Sequence, residues 1–395
     1  MSSASNENNN PYLLGVAGLC CVLIGIGICR FGYTPILPYL IEDHWLTKAQ
    51  ADFIGSANFI GYLIGALCSW NILKIANKLD IVKYSIISCI IGLMACSFNF
   101  GFFWILSWRL SVGFFGALLM IVTPSVILKK VAFSSKGLAS GIIFSGVGIG
   151  ILFSGIVTPW IHSLLDLQSV WLTFFCLSLI VGGIIAKILS TDLPNQKQAV
   201  VTETTQLKLS IKQKWQIFFI GFAYLTCGIG FVPHSLFWVE YAREKNLTTC
   251  LGSLIWSFFG LGFIIGGVCL GKMGDKFGIH KILMAIYFLS SLSVGIVLFN
   301  QSSYVFGGSA FLTGIFMAGI LTLTSARIAE IVGTRAHTEL WGKITLCYAS
   351  SQAFGAYAMS HLINNSVGYA TCILLASIAF IISTICMFFS NYSNP

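Results

Sequence analysis

Leu46–Cys68 reads LTKAQADFIGSANFIGYLIGALC, and Leu247–Cys269 reads LTTCLGSLIWSFFGLGFIIGGVC. The two stretches stand 201 residues apart and align without a gap, with identities at Leu46/Leu247, Thr47/Thr248, Ile54/Ile255, Ser56/Ser257, Gly61/Gly262, Ile64/Ile265, Gly65/Gly266 and Cys68/Cys269. Shared Leu or Ile means little between apolar segments. The repeated Gly-x-x-x-Gly and the shared Leu-Thr entry carry more, because they specify a close helix contact and a helix start. One apolar helix therefore occurs twice, which predicts a duplicated chain.

Composition sets the solvent of that helix. Of the 395 residues, 56% are apolar and only 9% charged, where a soluble domain has roughly 45–50% and about 25%. So few charges cannot cover a soluble surface of this size. Lipid must be the main solvent, and in lipid only helices or closed barrels satisfy their own backbone. Long unbroken apolar runs select helices over the short alternating segments of a barrel. Reading for stretches of about 20 apolar residues predicts spans at 12–40, 49–73, 84–101, 103–128, 138–160 and 169–189, then at 215–240, 248–271, 281–299, 304–329, 341–362 and 367–390. Asn99 and Gly101 supply the tight turn between the third and fourth. The N-terminal Met1–Asn10 lacks the basic patch of a signal peptide, and the first span is too long for a signal core.

The predicted fold class is thus an all-α integral membrane protein of twelve transmembrane helices, built as two homologous six-helix bundles about a pseudo-two-fold axis. The N-terminal bundle covers 1–189, a polar central loop 190–214, and the C-terminal bundle 215–395. The net charge of +9 does not point to nucleic acid, because the basic residues segregate by side. With both termini cytoplasmic, Lys129, Lys130, Lys136, Lys197, Lys208, Arg335 and most others fall in cytoplasmic loops. Only Lys48, Arg243 and Lys245 fall outside, and only Arg30 and Arg109 lie within spans. That asymmetry follows the positive-inside rule. The 13 cysteines sit mostly inside apolar runs, where they pack as small hydrophobes rather than form a disulfide or zinc framework.

Gly271-Lys-Met-Gly-Asp275-Lys276-Phe-Gly278-Ile-His-Lys281 follows the eighth span. It resembles the cytoplasmic-loop signature of the major facilitator superfamily, and with the six-plus-six duplication the resemblance covers almost the whole chain. The run Arg30-Phe-Gly-Tyr33-Thr-Pro35-Ile-Leu-Pro38 and the segment Gly61-Tyr-Leu-Ile-Gly-Ala-Leu further resemble the bacterial YbfB/YjiJ-type members. The matching first-half loop, Lys74–Asp80, is degenerate, and the fifth span lacks the Gly-Pro pair of the antiporter signature. The resemblance implies the major facilitator fold, with a solute cavity lined by the first, fourth, seventh and tenth helices. It also implies a gating role for Gly271, Asp275, Lys276 and Gly278, as a latch stabilising the outward-open state. It places the chain in a bacterial inner membrane.

Charge inside a span is costly, roughly 2.5–3.5 kcal/mol for a central arginine on the mildest scale, and marks a functional site by default. Arg30 is the leading candidate, with Arg109 expected at a similar depth. Together they could present a guanidinium fork to a carboxylate or phosphate, or each could satisfy backbone carbonyls near the helix breaks at Gly32 and Pro35. Tyr33 stands one turn from Arg30 and corresponds to His234 under the 201-residue offset, so both are expected to face the axis. Asn58 and Gln352 complete the set of candidate solute ligands. No Asp or Glu lies at the centre of a span. His234 and Glu240 are therefore the candidates for a coupling proton. No His-x-x-Glu-His, paired carboxylates, serine triad or Walker motif is present, so no metal, cofactor or ATP-driven step is expected. The predicted activity is secondary transport of a small solute, with a lean toward an organic anion or zwitterion, by a monomer in contact with membrane lipid. An exporter of lipophilic compounds and a lipid-modifying membrane enzyme are the alternatives.

Overall fold

The computed structural model describes residues 11–127, 136–192, 209–365 and 367–392. The loop residues Lys129, Lys130, Lys197 and Lys208 named above lie outside them. Twelve helices follow in order: α1 Leu13–Glu42, α2 Lys48–Ile75, α3 Lys78–Cys96, α4 Phe102–Ile127, α5 Lys136–Leu164, α6 Leu167–Asp192, α7 Ile211–Glu244, α8 Thr249–Phe277, α9 Ile279–Leu298, α10 Ser303–Gly333, α11 334–364 and α12 Tyr369–Tyr392. Among the described residues, eleven are long and apolar enough to cross a membrane. The other, α11, is long enough but more polar, with Ser350, Ser351, Gln352, Ser360 and His361 along it. Gly333 parts it from α10 with φ 72 and ψ 170, a conformation a side chain would strain. Twelve spans return the chain to the side on which it began. That side is called the termini side below, and its opposite the far side.

The third helix begins six residues before the expected 84. Asn77 caps it by accepting a hydrogen bond from the Leu79 N–H at 3.2 Å, so the polar turn Lys78–Lys83 is helical too. It ends at Cys96, and the Asn99–Gly101 turn is as expected: the Asn99 side chain accepts from the Gly101 N–H at 3.3 Å, and Gly101 takes φ 88. The shared Leu-Thr entry is a helix cap in both halves. Thr47 accepts from the Gln50 N–H at 3.3 Å and Gln50 returns the bond at 3.0 Å, while Thr248 accepts from the Leu251 N–H at 3.2 Å.

The repeat extends well beyond the aligned helix. A Cβ on Gly61 would strike the Leu110 carbonyl of α4, and one on Gly262 would strike the Phe311 carbonyl of α10. Gly65 meets Phe114 and Gly266 meets Ile315, while Gly113 meets Asn58 and Gly314 meets Phe259. Every one of these pairs keeps the same 201-residue spacing. The α2–α4 crossing is thus rebuilt as α8–α10, backbone against backbone, because only glycine lets two helices approach so closely. Between the halves, α5 packs on α8 through Gly148 against Gly260 and Gly155 against Ser257, and α2 packs on α11. Large apolar side chains such as Leu67, Trp70, Leu179, Phe218 and Leu292 are exposed, as a lipid-facing perimeter requires.

Candidate functional site

Both α1 and α7 are broken, though under the 201-residue offset the break in α7 corresponds to residues 32–36 and so begins where the break in α1 ends. In α1 a π-helical stretch, Leu23–Ile28, is followed by a turn over Cys29–Gly32 before the helix resumes at Tyr33. In α7 the π-helical stretch is Pro233–Phe237. Pro35 has no N–H to give, and Gly32 fits where a Cβ would meet the Ile28 carbonyl. The break frees the Cys29 carbonyl, which accepts a hydrogen bond from Arg109 Nη1 of α4 at 2.5 Å. The Arg109 guanidinium also lies 4.6 Å from the Tyr33 ring centre, and the Arg109 carbonyl accepts from Asn58 Nδ2 at 3.1 Å. Arg109 and Asn58 therefore brace the broken first helix.

Arg30 looks elsewhere. Its guanidinium lies 4.4 Å from the Phe59 ring and 4.6 Å from the Tyr62 ring of α2, and 5.4 Å from Phe31. Across the interface between halves, Nη2 donates to Gln352 Oε1 of α11. Gln352 in turn reaches the Tyr348 hydroxyl at 3.5 Å, and Tyr348 stacks on Tyr224 of α7 at 4.6 Å. Arg30 is almost wholly buried and its Nε has no hydrogen-bond partner. No carboxylate pairs with it among the described residues; the ion pairs there join His162 to Asp43, Arg243 to Glu42 and Glu240, Lys245 to Glu244, and Arg327 to Glu330. The cluster is electropositive and lined by aromatic rings, between the two halves.

The structure thus brings Arg30 and Gln352 together and places Arg109, Asn58 and Tyr33 beside them in a separate bracing group. Tyr33 and Arg30 both face α2, but the Tyr33 hydroxyl donates to the Ala51 carbonyl at 2.8 Å. His234 does not lie opposite Tyr33. It stacks on Trp238 at 3.9 Å and meets Ser309 of α10 at 3.3 Å, fully buried inside the second half. The residues that do meet across the axis are the next pair along: Thr34 Oγ1 donates to the Ser235 carbonyl at 2.6 Å. Gly271, Asp275, Lys276 and Gly278 lie far from this cluster, at the termini-side end of α8. Asp275 and Lys276 are exposed there, and Gly278 ends the helix with φ 96. Phe59, Tyr62, Tyr224 and Tyr348 were not singled out from sequence. Tyr62 and Tyr348 each stand four residues from a candidate already named, Asn58 and Gln352, and helical spacing alone would have found them.

Further bonds cross between the halves on the far side. Thr249 Oγ1 donates to Glu42 Oε1 at 2.5 Å, Arg243 Nη1 lies 3.7 Å from the same carboxylate, and Ser56 and Ser360 share a hydrogen bond of 2.7 Å. On the termini side, the first turns of α1 pack on α4, α5 and α6, and those of α7 on α10, α11 and α12, each within its own half. The halves are clasped at the far side.

Comparison with known proteins agrees with this architecture. A family model described as "Uncharacterised MFS-type transporter YbfB" matches residues 22–388. The multi-drug resistance efflux pump PmrA of Streptococcus pneumoniae is 21% identical over 305 residues, 75% of this chain and 76% of that protein. A gallate transporter of Pseudomonas putida is 20% identical over 351 residues, covering 78% and 76%. The MFS-type transporter YceJ of Bacillus subtilis is 22% identical over 369 residues, covering 85% and 89%. The match over nearly the full set of helices, with transporters as its relatives, shows that the chain belongs to the YbfB-type family of the major facilitator superfamily and is a multi-pass membrane transporter, not an enzyme.

Proposed function

We propose that the protein is a secondary active transporter of a small organic anion or zwitterion, bound at Arg30 and carried by alternating access. In this reading the rocking bodies are residues 1–189 and 215–395, joined by the stretch 190–214, whose two ends are helical as parts of α6 and α7 and not loop as expected from sequence. The termini side faces the cytoplasm of a bacterial inner membrane, and the working unit is a monomer. The observation that carries the anion is the unpaired charge of Arg30. A buried charge left without its counter-charge costs on the order of 3–5 kcal/mol, and contacts with aromatic faces return about 2 kcal/mol at a desolvated site. A ligand carboxylate would supply the rest, with Arg30 Nε and the neutral Gln352 as its neighbours. The gallate transporter among the relatives handles a planar aromatic acid, a chemistry that suits a guanidinium among Phe and Tyr rings. A second reading, export of lipophilic compounds, is favoured by those same rings and by the efflux pump PmrA.

A thermal-shift screen of the purified, detergent-solubilised protein separates them. A ligand that binds only the folded state stabilises it by about 2.7 kcal/mol at a hundred times its Kd. Carboxylates or amino acids should raise the Tm of the wild type and leave Arg30→Gln unmoved. Stabilisation by apolar or cationic compounds, equal in both proteins, would replace the anion reading with the exporter.

A further inference from the structure

Asp52 sits in the second turn of α2, where the two halves close on the far side. Its side chain is fully buried, and neither carboxylate oxygen has a hydrogen-bond partner within the protein. Around it the backbone is tied across the interface. Ser360 of α11 donates to the Asp52 carbonyl at 3.1 Å, Ser56 reaches the same carbonyl at 3.2 Å, and the Tyr33 hydroxyl of α1 holds the neighbouring Ala51 carbonyl. The seam is shut directly over the carboxyl group.

The titratable groups that face Asp52 compensate its charge only in part. Lys48, one turn earlier on α2, is drawn over the Tyr369 ring of α12 at 4.7 Å. Glu240 of α7 is also buried, but Arg243 holds it in a two-bond fork at 2.5 and 2.9 Å. Tyr33, Tyr369 and Cys372 complete the set. A carboxylate sealed here would carry a desolvation cost of several kcal/mol, which the attraction of Lys48 offsets only in part. The neutral acid carries no such cost. Once the halves part on this side, water reaches the group and the ionised form becomes the favourable one.

We propose that Asp52 is a proton-binding site of the far-side seam, occupied when the seam is closed and vacated to water when it opens. The reaction is simple proton exchange: the carboxylate takes one proton from far-side water as α2 and α11 come together, and returns it as they part. Because linkage is reciprocal, acid then favours closure and alkali favours opening. The closed form binds one more proton than the open form. The closed-to-open ratio therefore falls by up to tenfold per pH unit from the ordinary aspartate range, near 4, up to the pH at which the sealed group itself ionises, and is level beyond it. Glu240, named from sequence as a coupling candidate, is already neutralised by Arg243. His234 is packed away from the seam. The proposal rests on the alternating-access reading but not on the identity of the solute.

Hydrogen–deuterium exchange of the full-length protein in detergent tests it, following peptides across residues 40–60 and 355–375 with rates corrected for intrinsic pH dependence. Between pH 6 and pH 8.5 the wild-type seam should lose protection several-fold. Asp52→Asn, which keeps the shape without the charge, should stay protected at both pH values, while Glu240→Gln keeps the wild-type response. A wild-type seam indifferent to pH, or an Asp52→Asn seam that still opens with alkali, would overturn the proposal. Infrared titration of the wild type gives a check that needs no variant: a protonated-carboxyl carbonyl band should disappear as the seam opens. A persistent absence of that band at pH 6 would count equally against it. Arg30→Gln should keep the pH response even while it loses stabilisation by anions, so failure of the solute reading and failure of this one are told apart.

Discussion

Two arginines within the spans do different work, and the difference lies in what each guanidinium touches. Arg109 donates to the carbonyl that the break in α1 leaves open, so truncating it strands a buried acceptor and removes the cation under the Tyr33 ring. Arg109→Ala should lower stability by about 1–3 kcal/mol, the cost of an unsatisfied buried group, read as a drop in Tm with or without solute present. Arg30→Gln, whose partner is another neutral amide, should leave the Tm of the ligand-free protein close to wild type. A larger drop for Arg30→Gln than for Arg109→Ala would reverse these assignments. The sequence exposes both arginines by the cost of intramembrane charge, but it does not tell which one braces and which one binds. That depends on a carbonyl freed by a π-helical turn, and no residue pattern announces it. Asp52 went unread for a related reason. It stands near the start of its span and so outside any search for a central acid, and it is the packing of the second half over it that buries it.

At the level of helices, the Gly-x-x-x-Gly pairs fix how α2 crosses α4 and how α8 crosses α10. A methyl group on Gly61 or Gly262 has only backbone to push against, and backbone cannot turn aside as a side chain can. Gly61→Ala and Gly262→Ala should each cost about 1–3 kcal/mol, the usual range for overpacking. Gly183→Ala, with open space around its Cβ, should be neutral or slightly stabilising through helix propensity. Thermal unfolding of the three variants checks this, and equal effects at all three positions would remove the glycine crossings as the basis of the packing. These contacts were the most legible part of the chain, because close approach leaves a compositional mark and duplication prints it twice. The polar α11 was harder to read. Gln352 and Ser360 dilute the apolar signal because they face the other half, and Ser351 does so because it packs against Gly228 of α7; none of the three faces lipid.

For the whole molecule, the alternating-access proposal makes the clasp on the far side one end of a transport cycle, and the positive-inside rule gives the orientation to be tested. If the termini side is cytoplasmic, green fluorescent protein fused after Pro395 should fluoresce, and alkaline phosphatase fused there should be inactive. The reverse pattern would invert the orientation and with it the side from which Asp52 exchanges its proton. The six-plus-six plan followed from the 201-residue repeat, whereas the state of the molecule did not. Which end is closed depends on small differences among contacts available in both states, and those are properties of packing.

Glu42 and Arg243, the oppositely charged pair in the clasp, stand at equivalent positions of the two halves, 201 residues apart, as do Thr34 and Ser235. A dimer of two identical six-helix chains would bring each such residue against its own copy. A hydroxyl can bond to its copy's backbone as well as to a stranger's, so the Thr34–Ser235 contact is of a kind that identical partners could already make. An acid facing its own copy would repel it. The Glu42–Arg243 attraction is open only to halves free to differ, and it is a contact that fusion of the two copies into one gene made available.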